Sequence, residues 1–383
     1  MLSGGTVHTI SGPVIENGSV LVRDGKIIGV GRDLHAPDGA TVIDVRGQHI
    51  YPGMIDSAGM PGFASDVSEQ IPAARANGVT SVMELPQGDL IAGQLSLIHM
   101  NGLANAINVA PSTAIHLRFP AIATTPIPPH EPEADDDEPT TAVPVEPVSF
   151  SQAKKAYDEK IKTLNRFFDD ARRYRHAKLA RSTRLYADAR FEAIIPVLDG
   201  ATPMFVTAVR AREIREAIAF ADKQKIRIIL ADAAECYKLI PLIQAHDIPV
   251  VLGPPFSLPI DQDDAYDRSY TTAAELSKAG IRFSIGTFSY RLSRNLPYQA
   301  AAAVAFGLPH DEAYKAISLS AAEIFGLGKR LGSIDEGKAA DLIVTDGDPL
   351  EATTQVNRVF IDGKPVSLET RQKQLYEKYL ARP

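Results

Sequence analysis

Both ends of this chain read as short β-strands joined by tight turns, and the stretch between them alternates strand with helix. Near the amino terminus, Ser19-Val20-Leu21-Val22 and Lys26-Ile27-Ile28-Gly29-Val30 flank Arg23-Asp24-Gly25. Asp-Gly between two β-rich runs predicts a hairpin, because both turn positions need a backbone that Asp and Gly tolerate. The far end repeats the pattern, with strands predicted at 340–344 and 359–361 and Asp362-Gly363 as the turn before Lys364-Pro365-Val366. These ends predict a small discontinuous β-sandwich built from both termini, residues 1–50 and 330–366, with a helical tail over 367–383.

Between them, β-branched or apolar runs predict strands at 79–83, 114–119, 204–209, 226–230, 249–252 and 281–285. Helical spacing marks 213–223, a stretch ending near 245, and 298–305, 311–317 and 321–325. Roughly eight such strand–helix repeats predict an α/β fold, a (β/α)8 TIM-like barrel over 51–329. An open doubly wound sheet is the competing topology, and no Gly-rich dinucleotide fingerprint favours it. A Pro-rich acidic insertion near 120–149, centred on Asp135-Asp136-Asp137-Glu138, predicts an extended or disordered surface loop. The residues near 150–180 then predict a long charged helix, whose apolar stripe must cover the barrel or a partner chain.

Composition removes several function classes. With 383 residues and a net charge of −7, the chain lacks the clustered Lys and Arg that a nucleic-acid or anionic-membrane surface needs. No run approaches the roughly 18 apolar residues of a membrane span. Cys236 is the only cysteine, which excludes an intrachain disulfide. The first residues already read as a strand, with no basic n-region or apolar h-region. The expected compartment is therefore the cytoplasm, or the periplasm or exterior if a signal peptide precedes Met1.

Four stretches carry a family resemblance. They are Tyr51-Pro52-Gly53-Met54-Ile55-Asp56-Ser57-Ala58-Gly59-Met60, Arg294-Asn295-Leu296-Pro297-Tyr298 with the helix after it, 318–326, and 331–344 around Gly337-Lys338-Ala339-Ala340-Asp341-Leu342. Together they resemble the amidohydrolase superfamily, in the flavour of imidazolonepropionase-related proteins, many of them bacterial. Gly332 and Gly337 read as turn glycines, and Asp341 as structural.

The resemblance implies a hydrolytic metal held by two histidines of the first barrel strand, one after the fifth and one after the sixth, with an aspartate after the eighth as ligand and base. This chain has Ala58 and Met60 at the first two positions, Phe205-Val206-Thr207-Ala208-Val209 at the third and Leu230-Ala231-Asp232-Ala233 at the fourth. Phe288 stands where the aspartate belongs. Alanine has no ligand atom, a lone thioether suits hard cations poorly, and a phenyl ring accepts no proton from water. The expectation is no metal and no cofactor at the family's site.

Polar residues remain at strand ends, where barrel sites are built. His116, Arg118, Arg210, Asp232, Tyr290 and Arg294 form the candidate pocket, with Glu84, Gln87, Gln94, Glu235 and Ser289 nearby in sequence. The arginines could hold a carboxylate or phosphate in bidentate fashion. His116 is either a pocket residue or a satisfied structural histidine. His8, His35 and His49 belong to the sandwich, and His99, His176, His246 and His310 are expected at the surface. Ser289 has no His-Asp relay near it in sequence.

Two functions follow. The first is a metal-free, non-hydrolytic binding or assembly subunit, a homo-oligomer or the partner of a related chain, open to a small-molecule ligand. The second is a hydrolase of non-peptide carbon–nitrogen bonds, amide or cyclic amide, with an altered centre.

Overall fold

The computed structural model describes residues 1–59, 69–101, 108–124, 147–181, 186–261, 263–289 and 291–382. Met60, Tyr290 and most of the acidic insertion lie outside the described residues.

The amino-terminal strands are β1 (Leu2–Val7), β2 (Ile15–Arg23), β3 (Lys26–Gly31), β4 (Ile43–Asp44) and β5 (His49–Pro52). The barrel segment follows with β6 (Met54–Gly59), α1 (Gln70–Ala76), β7 (Val79–Glu84), β8 (Ile91–His99), β9 (Asn108–Arg118), α2 (Phe150–Leu179) and α3 (Ala189–Leu198). It continues through β10 (Met204–Thr207), α4 (Ala211–Gln224), β11 (Ile228–Ala231), α5 (Ile240–Ala245), β12 (Val250–Leu252), α6 (Arg268–Lys278) and β13 (Phe283–Ile285). Helices α7 (Leu296–Ala305), α8 (His310–Ala316) and α9 (Leu319–Ile324) lead to β14 (Leu342–Thr345), β15 (Val356–Ile361), β16 (Lys364–Val366) and α10 (Arg371–Leu380).

Strands from both ends join in one eight-stranded sheet of order β16-β15-β14-β5-β1-β2-β3, with β4 beside β1. The crucial pairing is β14 against β5, where Leu342 faces Pro52 and Val344 faces Ile50. Leu2, Val7, Val20, Ile27, Ile50, Leu342, Val344 and Phe360 bury their side chains in a cluster of their own. Both Asp-Gly turns are present, with Asp24, Gly25, Asp362 and Gly363 all at positive φ.

The second sheet runs β6 to β13 in chain order. One of its strands departs from the sequence expectation. β8 pairs antiparallel with both β7 and β9, so the third strand returns as a hairpin instead of crossing over through a helix. The remaining neighbours are parallel. Alternation sorts the side chains. Val82, Ile115, Leu117, Met204, Val206, Leu230, Val250 and Ile285 face the helices. Ile55, Met83, Leu95, Leu97, Ala114, Phe205, Ile229, Ala231 and Val251 fill the interior, where Phe325 from the turn after α9 stacks on Phe205 with ring centres 5.9 Å apart. The interior is a packed core and not a pore.

α2 begins at a capping box, in which Ser149 and Gln152 satisfy each other's orphan donors. Its buried Leu164, Phe168, Ala171 and Tyr174 recur every three or four residues. Phe168 meets Phe220 of α4 edge-on at 5.5 Å, so the stripe covers the barrel. No helix among the described residues is long and apolar enough to cross a membrane.

Candidate functional site at the barrel mouth

The carboxyl ends of the parallel strands form the mouth. At its seam, where β6 meets the segment after β13, the Phe288 N–H donates to the Ala58 carbonyl at 2.6 Å. Gly286 lies between the two. A Cβ there would stand 2.9 Å from the Ala58 Cβ and 3.2 Å from the Phe288 ring. The two residues that the sequence reading sets at a ligand and the base position therefore pack together, in one apolar cluster with Leu85. Phe288 holds φ at 50°, a left-handed backbone that costs a bulky residue energy.

Asp56 clasps this seam from within. Its carboxylate accepts from the Thr287 N–H at 2.9 Å, the Thr287 hydroxyl at 2.6 Å, the Ser293 hydroxyl at 2.5 Å and the Ala58 N–H at 3.2 Å. Burial pushes its carboxyl above the usual range, and the four donors pull against that rise. Both oxygens are occupied, so Asp56 closes the barrel and offers nothing to a ligand.

His116, at the end of β9, is buried with both ring nitrogens engaged. Nδ1 lies 2.9 Å from the Pro86 carbonyl, and Nε2 lies 2.9 Å from the Thr207 hydroxyl. The consistent tautomer donates from Nδ1 and accepts at Nε2. Burial lowers its pKa to about 4, so the ring is neutral at pH 7. Of the two readings open in the sequence, these partners favour the structural one.

The arginines are also committed or displaced. Arg118 is exposed and reaches the Gly88 carbonyl at 3.4 Å. Arg210 pairs with Asp261 at 2.8 Å and lies 3.9 Å from Glu235, whose other oxygen accepts the Ala211 N–H. Arg294 stands in a 3-10 turn before α7, its carbonyl bound by Asn77 beyond α1. No hydrogen bond or ion pair among the described residues joins Arg294 to His116, Arg210 or Asp232.

Asp232 differs from all of these. It follows β11 with φ at 52°, and its carboxylate makes no hydrogen bond among the described residues. Burial and the neighbouring Glu213 carboxylate push its carboxyl up to about 7. Gly253, after β12, makes room for it, since a Cβ at that residue would lie 2.5 Å from Asp232 Oδ1. Glu84, at the end of β7, is likewise raised by burial and has no hydrogen-bonded partner among the described residues. A strained, unpartnered strand-end carboxylate poised near neutrality is the strongest chemical feature of the mouth.

Among the described residues, the one imidazole of the mouth has both nitrogens hydrogen-bonded, Asp56 accepts four hydrogen bonds, and the side chains of Ala58 and Phe288 carry no metal-binding atom, a donor set that does not fit a catalytic metal. Sequence reasoning missed the clasp on Asp56, because Thr287 and Ser293 stand 231 and 237 residues away along the chain. It also missed the room that Gly253 leaves for Asp232.

Residues 263–366 match the amidohydrolase family. The amidohydrolase tasK of Hapsidospora irregularis is 30% identical over 132 residues, which cover 31% of this chain and 14% of that protein. An imidazolonepropionase of Thermoplasma volcanium is 32% identical over 120 residues, 29% of this chain and 30% of the other. This chain thus matches less than a third of either relative's length. Among solved structures, an amidohydrolase from Thermotoga maritima superposes with a TM-score of 0.78 at 23% identity, covering 96% of this chain and 99% of the other.

Proposed function

We propose that this amidohydrolase-superfamily chain does not hydrolyse its ligand with metal-activated water, and that it is a binding or assembly subunit with a ligand site at Asp232. The observation that supports the reading is the Ala58–Phe288 contact, since neither side chain has an atom that could hold a metal or accept a proton. Asp232 is a hydrogen-bond acceptor with no donor of its own, so the ligand class it suits carries an N–H group, cationic or amide. Association with a second copy is supported by α10, none of whose residues is buried. Its exposed Leu375, Tyr376, Tyr379 and Leu380 fall on one helical face.

The test is a hydrolysis screen of amides, cyclic amides and ureas with zinc, manganese or iron added. The reading expects no metal-dependent turnover, and such turnover would overturn it. One observation favours the alternative of an altered carbon–nitrogen hydrolase, namely the Asp232 carboxyl near 7, a value suited to a general base. That alternative expects metal-independent turnover that rises with pH through about 7 and disappears in Asp232→Asn.

A further inference from the structure

The antiparallel course of β8 carries its last residue, His99, to the amino-terminal end of the barrel, opposite the mouth. The sequence reading put His99 at the surface, but only 2% of the residue is exposed. The reason is the hairpin, which turns the end of β8 under the terminal sheet. Two carboxylates of that sheet meet the ring there. Asp341, just ahead of β14, places Oδ2 3.2 Å from His99 Nε2, and Asp362, in the β15–β16 turn, places Oδ2 3.4 Å from Nδ1.

We propose that His99, Asp341 and Asp362 bind a divalent first-row transition cation that joins the barrel to the terminal sheet. One ring nitrogen and one oxygen from each carboxylate all lie within 4.8 Å of one another. The second observation is an unmet valence. Asp341 is 7% exposed, yet neither its Oδ2 nor His99 Nε2 makes a hydrogen bond, although they stand 3.2 Å apart. The N–H direction misses the oxygen. Two ligands at about 2.0–2.1 Å from a shared zinc stand roughly 3 Å apart without pointing at each other. Leaving two buried polar atoms unpaired is costly unless a third body satisfies both.

The surroundings suit a metal site. Asp341 Oδ1 accepts the Asp362 N–H at 2.8 Å, the kind of outer hydrogen bond that orients a ligating carboxylate. The Asp362 side chain is 56% exposed, which gives the ion a route from solvent and leaves positions for water. One imidazole with two carboxylates suits zinc, manganese or iron, whereas calcium prefers all-oxygen sets and copper(I) sulfur. The competing arrangement is an imidazolium held between the two carboxylates, which raise the His99 pKa against the lowering by burial; it requires N–H vectors aimed at both oxygens. The site is independent of the barrel mouth, and its failure would leave the reading of Asp232 untouched.

The experiment loads the purified full chain with zinc, removes the excess by gel filtration, and measures retained zinc by plasma mass spectrometry and Tm with and without a chelator. The expected result is about one zinc per chain and a Tm that falls on chelation. Zinc affinity should drop at least tenfold in Asp362→Asn, whose exposed turn keeps the fold intact, and in His99→Gln. A folded chain that retains no zinc, or one whose zinc is unchanged in both variants, overturns the proposal.

Discussion

A half-buried carboxylate with no donor beside it lowers the stability of a fold whenever it is ionised. Asp232 is in that position, with its carboxyl raised to about 7 from 3.8. Between about pH 4 and 7 the folded chain keeps a proton that the unfolded chain has released, so Asp232 costs stability as pH rises through that window and most above it. Asp232→Asn is expected to melt about 2 °C or more above the parent at pH 8, and together with it near pH 4. Identical melting at both pH values would contradict the account. At this scale the sequence was informative about residue type, since Ala58 and Phe288 carry no ligand or base atom. It was silent where the role depends on distant partners. Nothing local in Ile55-Asp56-Ser57 shows that Asp56 will be wrapped by Thr287 and Ser293, or that His99 will meet Asp341.

The barrel closes through elements remote in sequence, and a single side chain ties them. Asp56 links β6 to the segment after β13 by four hydrogen bonds. Asp56→Ala leaves two N–H groups and two hydroxyls without that acceptor, which should cost about 3 kcal/mol or more. The measurement is a lower urea midpoint at an unchanged m-value. A loss under about 1 kcal/mol would show that the seam holds without the clasp. The strand missed in the sequence, β8, had a signal: buried Leu95 and Leu97 alternate with the polar Gln94 and Ser96, the period-two pattern of a strand. Gly93, at φ 144°, weakens that signal, because a glycine inside a short run is a poor strand former. The long helix was legible because its apolar stripe is strong, and the structure turns that stripe onto Phe220.

The joining of the two ends was visible in the matching Asp-Gly turns, and the pairing of β14 with β5 is its physical form. The direction of each barrel strand was not visible, because an apolar run reads the same in either direction. That direction decides where the chemistry sits: the mouth keeps Asp232, and the opposite end receives His99. If α10 joins copies of the chain, light scattering should give at least a dimer, and deleting residues 371–382 should give a monomer; an unchanged mass would remove that part of the proposal. The central claim is that the mouth holds no metal. Anomalous diffraction at the zinc edge, from crystals grown with zinc, tests it most directly. The expected map has density beside His99, Asp341 and Asp362 and none among Ala58, His116, Asp232 and Phe288; an anomalous peak at the mouth would contradict the account.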